Sequence, residues 1–414
     1  MTTETPKDYT TDYDVLDPEY IKNPFPIWDE IREECPIAHT ERRGGSWMPT
    51  RYDDLFKIAQ DWKRFSSQDV LVVPPQLAPG SPYLNEDGEY TGGDFPDVAA
   101  PPITSDPPEH TWARKMLLPP FSMKSVSKFE DTTREHCRHL LDDILARGDS
   151  KADAATEYAQ QIPPHVIATM LGVPTDMTPQ FTKWVREFLE LGPFNPEGAV
   201  ESRTNILTFV WAQIQDRRQN PKDDLLTYLV QQEVDGQPVP DTHILGTAFL
   251  LIVAGIDTTW SSIGSALWHL AQHPEDRKRI IDEPDIINSA VEELIRAYSP
   301  VTMARVVVQE AEIDGAKMCP GEKVLMNFPA GNRDPEVFEN PDQVILDRPK
   351  NPHIAFGVGI HRCAGSNLAR MEMKVAVEEW LARIPNYHLA GDSDETTWAG
   401  GQVRGPRTLP VVIG

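Results

Sequence analysis

Cysteine is scarce in this chain. There are four in 414 residues (Cys35, Cys137, Cys319 and Cys363), widely spread and without paired spacing. That excludes a disulfide framework and a zinc knuckle, and points to reduced thiols in a cytosol. Positive charge is also in deficit: 39 Lys and Arg stand against 64 Asp and Glu, a formal net charge of −25. A surface that acidic repels phosphate backbones and anionic lipids, which disfavours nucleic-acid binding by the molecule as a whole. A membrane-spanning run is missing too: the most apolar stretch, Ala248 to Ile256, is about half the length that crossing requires. The opening MTTETPKDYTTDYDVLDPEY has no basic region followed by an apolar one, so it does not read as a signal peptide. The expectation is a cytoplasmic monomer with no membrane and no nucleic-acid partner.

Proline is plentiful, at 38 residues, and it clusters. Residues 66–108 contain VVPPQLAPGSPY, EYTGGDFPD and AAPPITSDPPEH, which no continuous helix or central strand tolerates. The stretch is too long for an ordinary connection, leaving a functional loop over a site or a disordered insertion. Interspersed Leu71, Val72, Tyr83 and Phe95 favour the loop.

Helical patterning dominates from His110 to Tyr298. It predicts helices near His110–Met116, Ser125–Ala146, Lys151–Met170, Gln180–Leu191, Ala199–Gln219 and Leu225–Glu233, with Pro163-Pro164 splitting or kinking the third. A longer one runs from about Asp241 to His273, where Pro274 stops it. Its middle, AFLLIVAGI, is apolar all round and belongs in an interior. Another follows at Ile286–Tyr298. Next, RVVVQEAEIDGAKMCPGEKVLMNF alternates as short strands around the turn signals Asp314-Gly315 and Pro320-Gly321. A last long helix covers Ala364–Ile384, and strand-like runs close the sequence. The fold expected over residues 1–414 is one mostly α domain with a smaller β-rich part.

Cys363 has the most unusual setting of the four cysteines. It follows two glycines in FGVGIHRCAG and precedes a helix. The glycines permit a tight turn, the helix start adds a positive dipole end, and His361 and Arg362 add positive character. All of these favour a thiolate. Three readings fit: a metal-ligating thiolate, a buried structural cysteine, and a catalytic thiol with a distant His base.

FGVGIHRCAG resembles the haem-binding loop of the cytochrome P450 family. Glu293-Leu294-Ile295-Arg296 resembles that family's E-x-x-R motif, and GNRDPEVFENP followed by LDRP resembles its meander. Ala254-Gly255-Ile256-Asp257-Thr258-Thr259 is similar to its oxygen-activating helix motif. Asp106 to His110 with Arg114 is similar to its haem-propionate helix. The likeness spans roughly residues 100 to 410, in the family's order, and is strong only as a set. The first sixty-five residues add little to it.

This resemblance implies a haem-thiolate fold with a long central helix and haem b as cofactor. Cys363 would be the iron ligand, with Phe356 and the glycines shielding its sulfur. His110, Arg114, Arg305 and His361 match the positions that hold the haem propionates. Asp257 and Thr258 match the acid–alcohol pair that handles protons during oxygen activation; the plainer alternative is a helix bend whose polar groups satisfy one another. Glu293, Arg296 and Arg348 would form a structural ion network. The substrate pocket would be lined by residues 66–102, Phe181–Leu191, Leu250, Ala254 and Val301–Met303. That lining implies monooxygenation of a small hydrophobic or aromatic compound, by hydroxylation or oxidative dealkylation. A peroxide-driven peroxygenase and a non-enzymatic haem sensor are the rival functions. No fused flavin or iron–sulfur domain is expected, so electrons would come from a separate ferredoxin and its reductase. Lys115, Lys124, Arg362 and Arg370 would form a basic docking patch against the acidic bulk.

Overall fold

The computed structural model describes every residue except 1–6, 86, 88–90, 92–94, 96–97 and 392–394. Its axis is the helix Asp241–Gln272. Thirty-two residues reach about 48 Å at 1.5 Å per residue. By length and composition this helix matches a membrane span, yet 78% of its most apolar window is buried in protein. It is a core helix. Ile162–Leu171, Thr178–Leu189, Pro196–Gln219 and Ser366–Arg383 pack around it. One large apolar cluster joins them, with Trp260, Leu267 and Leu270 of the central helix almost fully buried.

Two glycines let backbones or side chains meet closely. At Gly255 an added Cβ would come within 2.6 Å of Ile167 Cδ1, so the central helix and Ile162–Leu171 touch there only because a side chain is absent. Gly359, in the cysteine loop, combines φ of +73° with an approach of 2.7 Å between such a Cβ and the Ala59 carbonyl.

The expected helix Lys151–Met170 is corrected. Lys151–Asp153 is a strand paired with Pro410–Ile413, and the helix begins only at Ile162. Pro163-Pro164 therefore does not break a helix but opens one, in the first turn, where a missing N–H costs nothing. The expected Ser125–Ala146 is interrupted by a short tight turn at Ser127–Phe129 before Glu130–Ala146. Leu225–Val230 stops short of Glu233, which enters a two-stranded hairpin.

The β-rich part is larger than the sequence pattern suggests. A five-stranded sheet runs in the order Ile37–Thr40, Ser46–Pro49, Lys323–Met326, Met303–Val307, Phe65–Ser66. Ser46–Pro49 lies parallel to Lys323–Met326, and every other neighbour is antiparallel. The N-terminal region is thus bound into the same sheet that carries Arg305, paired with Val324. Among the described residues of 67–108 there is no helix, and no strand beyond an isolated bridging residue.

Candidate functional site

Between the central helix, the cysteine loop and the strand Met303–Val307 lies an apolar cavity. Its volume is about 250 Å³, far above the roughly 10–15 Å³ that one water needs. Cys363 forms part of its wall, with Phe356 and Gly357 beside it. The sulfur is positioned by the turn: the Cys363 amide donates to the Phe356 carbonyl at 2.8 Å, and Gly357 and Gly359 take positive φ. Burial pushes the Cys363 thiol up, opposed by the Gly365 N–H and then by the Arg114, Arg362 and Arg370 charges. Phe356 is clamped by Arg370, whose guanidinium lies 4.4 Å from its ring centre. Arg370 is itself held by Glu292, which also takes His353 at 2.9 Å.

Basic side chains gather on one side of the same cavity. Arg114, Arg305 and His361 all line it, and the His110 and His361 rings lie 4.3 Å apart. Arg305 bonds only the Ala304 carbonyl among the described residues, and burial brings its guanidinium down to about 10. Burial, then Arg305, His110 and Arg114, push His361 down to about 2. Buried Nε2 of His110 has no hydrogen-bond partner among the described residues. The nearest carboxylate acting on Arg305, that of Asp106, is engaged by Ser66 and by the Ser67 amide. Two guanidiniums, Arg305 buried and Arg114 half-buried, with an orphaned imidazole nitrogen and no ion pair to a carboxylate among the described residues, suit an anionic group from outside the chain.

The central helix supplies the opposite chemistry. Thr258 lines the cavity, and its hydroxyl donates to the Ala254 carbonyl one turn back at 2.8 Å. The helix nevertheless runs on unbroken to Gln272. Asp257 is not among the lining residues. It is 1% exposed and accepts from Arg407 Nη2 at 2.9 Å and from Ser261 at 3.2 Å. Arg407 also donates to Glu190 at 2.7 Å. Burial raises the Asp257 carboxyl above the usual carboxylate range, with the Arg407 charge opposing.

Residues 96–384 match the profile of the family described as Cytochrome P450. The chain belongs to that family. The cytochrome P450 named for polyketide biosynthesis, PksS of Bacillus subtilis, is 31% identical over 403 residues, covering 95% of this chain and 97% of the relative. The mycinamicin IV hydroxylase/epoxidase of Micromonospora griseorubida is 31% identical over 392 residues, covering 93% of this chain and 94% of the relative. Among solved structures, cytochrome P450 CREJ in complex with (4-ethylphenyl) dihydrogen phosphate aligns with a TM-score of 0.88 at 27% identity. That alignment covers 97% of this chain and 99% of CREJ. The protein is a P450 monooxygenase with the mostly helical P450 fold.

P450 proteins carry a thiolate-ligated haem iron, and this cavity fits it. A cysteine sulfur stands in one wall, and the unpaired cations beside it suit a carboxylate-bearing macrocycle. Leu250, Ala254 and Val301 all line the cavity, as does Met303. The expected contribution of Phe181–Leu191 is corrected: none of those residues lines it. Phe181 packs edge-on against Phe209 at 5.3 Å and Phe188 against Phe249 at 5.5 Å, so their rings are spent within the fold. Ile167, from the preceding helix, lines the cavity instead. Of residues 66–102, Pro102 alone among the described ones forms the wall, next to Ile103.

Glu293, Arg296 and Arg348 form a buried group that is not part of the lining, although Ile295 between the first two is. Both Glu293 oxygens accept from Arg296 at 2.8 Å and from Arg348 at 3.0–3.1 Å. Burial opposes ionisation of Glu293, but the two guanidiniums hold its carboxyl below the usual range. In the basic patch, Lys115, Lys124 and Arg362 are exposed. Arg370 is not a free surface cation, being committed to Glu292 and Phe356.

Besides Ile167, the sequence reading missed Arg407 and Ser67. Arg407 lies in the tail GPRTLP, where nothing marks it; only the rule that a buried carboxylate needs a partner anticipates some cation there. Ser67, whose hydroxyl lies 2.9 Å from His361 Nε2, carries no signal of its own.

Proposed function

We propose that this P450 inserts one oxygen atom from O2 into a small apolar substrate, using haem b held by Cys363 and electrons from a separate ferredoxin. The observation that carries this reading is the shared cavity: Cys363, Thr258 and an apolar lining of Leu250, Ala254, Ile167 and Val301 enclose one space. When bound there, the thiolate-ligated iron supplies the activation of dioxygen. The chain's own residues do the rest. Arg114, Arg305, His110 and His361 hold the two propionates, which accounts for a buried Arg305 with no ion pair and a buried His110 nitrogen with no hydrogen-bond partner among the described residues. Arg suits the task because its planar fork binds a carboxylate at two points.

Thr258 presents a hydroxyl to the cavity and, by bonding back to Ala254, keeps its oxygen at a fixed place on the wall. Asp257 acts behind that wall as the proton store. Its partner Arg407 also holds Glu190, whose side chain is 14% exposed, so the guanidinium fixes Asp257 and sets how readily its carboxyl takes up a proton without carrying one itself. The apolar lining excludes water and selects substrates by shape and hydrophobicity rather than by charge. Lys115, Lys124 and Arg362 favour an acidic electron donor on the cysteine side, within a molecule of net charge −25. Cytoplasmic residence follows from the same reading, since the reductase chain and reduced thiols belong there.

The test is spectroscopic. Reduced protein under carbon monoxide should give the red-shifted absorption of thiolate-ligated haem, and Cys363→Ser should remove it. Titration with hydrophobic compounds should then shift the spin state of the parent, and a reconstituted ferredoxin system should yield oxygenated product. Turnover driven only by peroxide would overturn the O2-dependent reading.

A further inference from the structure

Away from the cavity, the end of the central helix gathers a second set of chemistry-bearing side chains. His269 lies seven residues beyond Ser262, the last cavity-lining residue of that helix, or about 10 Å along its axis. His273 follows one turn later as the cap residue, and Pro274 then starts the helix Pro274–Asp282 with Asp276 in its first turn. The i, i+4 spacing puts both imidazoles on one face, with ring centres 4.2 Å apart. One donor atom from each of His269, His273 and Asp276 falls within 4.8 Å of the others.

We propose that His269, His273 and Asp276 form a binding site for a divalent transition-metal ion of the zinc class. Two imidazoles and a carboxylate are the donor set such ions take, and two histidines at i, i+4 on one helix face converge naturally on one ion. The ring of His269 is already oriented: its Nδ1 lies 2.8 Å from the Tyr298 hydroxyl, leaving Nε2 to face Asp276 Oδ2 at 2.8 Å. An outer hydrogen bond of that kind fixes the ring and tautomer of metal-ligating histidines. On binding, the ion displaces the proton shared between Nε2 and Asp276, and the ring keeps one on Nδ1, donated to the Tyr298 hydroxyl, so that the Nε2 lone pair reaches the ion.

Ligand bonds of about 2.0–2.2 Å require the three donors to draw somewhat closer than they stand. His273 is the one able to move, because it is half exposed at a helix cap while His269 is fully buried. Glu275, whose Oε1 lies 3.2 Å from His273 Nδ1, or a water completes the coordination. The site is separate from the cysteine loop, and a nitrogen and oxygen donor set with one exposed edge suits zinc, copper or nickel over calcium or magnesium. Once bound, the ion ties the central helix to the next helix across the break at Pro274.

The test uses the haem-loaded protein with Cys319→Ser throughout, so that the exposed thiol cannot bind the probe. Zinc chloride is titrated by calorimetry and the melting temperature is followed with and without it. The expected result is one saturable equivalent per chain, a higher melting temperature with zinc, and at least tenfold weaker binding in both His273→Ala and Asp276→Asn. Their carbon monoxide spectra should match the parent's, showing that the variants fold. Absence of a saturable site, or undiminished affinity in both variants, would overturn the proposal.

Discussion

Arg407 Nη2 donates to Asp257 Oδ1 at 2.9 Å, joining the last strands of the chain to the middle of the central helix. The carboxylate that the sequence marks for proton handling is thus not open to the cavity but held from behind. Its availability depends on the same guanidinium that also holds Glu190. Asp257→Asn should slow product formation by about 10²-fold, the scale of a lost general acid, while coupling of electrons to product stays largely intact. Arg407→Gln should also slow turnover and should shift the pH dependence of the rate. A normal pH–rate profile in Arg407→Gln would show that the pair is only structural.

Thr258→Ala should fail differently. The substitution leaves Cys363, the cations and the apolar wall untouched, so substrate binding and reduction should be unchanged. With the cavity hydroxyl gone, reducing equivalents should be consumed while hydrogen peroxide accumulates in place of product. Product, peroxide and cofactor oxidation measured together decide the matter. Full coupling at parental speed would reduce Thr258 to a helix residue bonded to Ala254.

Glu293→Gln strikes the buried network at its centre. Two guanidiniums then share a neutral acceptor in a fully buried place, and breaking such a pair costs about 3–5 kcal/mol. The measurement is denaturant unfolding with haem retention followed in parallel. Glu293→Asp should recover part of the loss if its shorter carboxylate still reaches one guanidinium.

Glu372 gives a stability prediction with a definite sign. It is fully buried on Ser366–Arg383, neither carboxyl oxygen has a partner among the described residues, and burial raises its carboxyl well above 4.5. A raised folded-state value means that the group's contribution is fully present below the unfolded value. It is lost as pH rises toward the folded one, at about 1.4 kcal/mol per pH unit. Glu372→Gln, neutral at every pH, should therefore gain melting temperature over the parent as pH rises from 5 to 8. Parallel melting curves across that range would mean that water or an unseen partner already satisfies the carboxylate.

What was legible in the sequence follows from how local each signal is. The central helix announces itself through apolar length and the stop at Pro274, and the cysteine turn through glycines that only a tight loop requires. Lys151–Met170 misled because Lys151–Asp153 is a strand only by virtue of its pairing with Pro410–Ile413, some 260 residues away and invisible to a local pattern. The parallel pairing of Ser46–Pro49 with Lys323–Met326 was hidden for the same reason. Cavity walls were legible where they sit on a motif, as Ala254 and Thr258 do. They were not legible where an apolar residue such as Ile167 or Phe181 looks the same facing a cavity as facing a neighbour.

Arg407 is the last of the site's side chains to leave the ribosome. By then the cysteine loop, the central helix and the arginines near His361 have all been synthesised. Until the final strands arrive, Asp257 lacks the guanidinium that holds it in the finished fold. On the proposed roles, the order of synthesis makes the proton-handling part of the site the last to be completed, after the part that holds the cofactor.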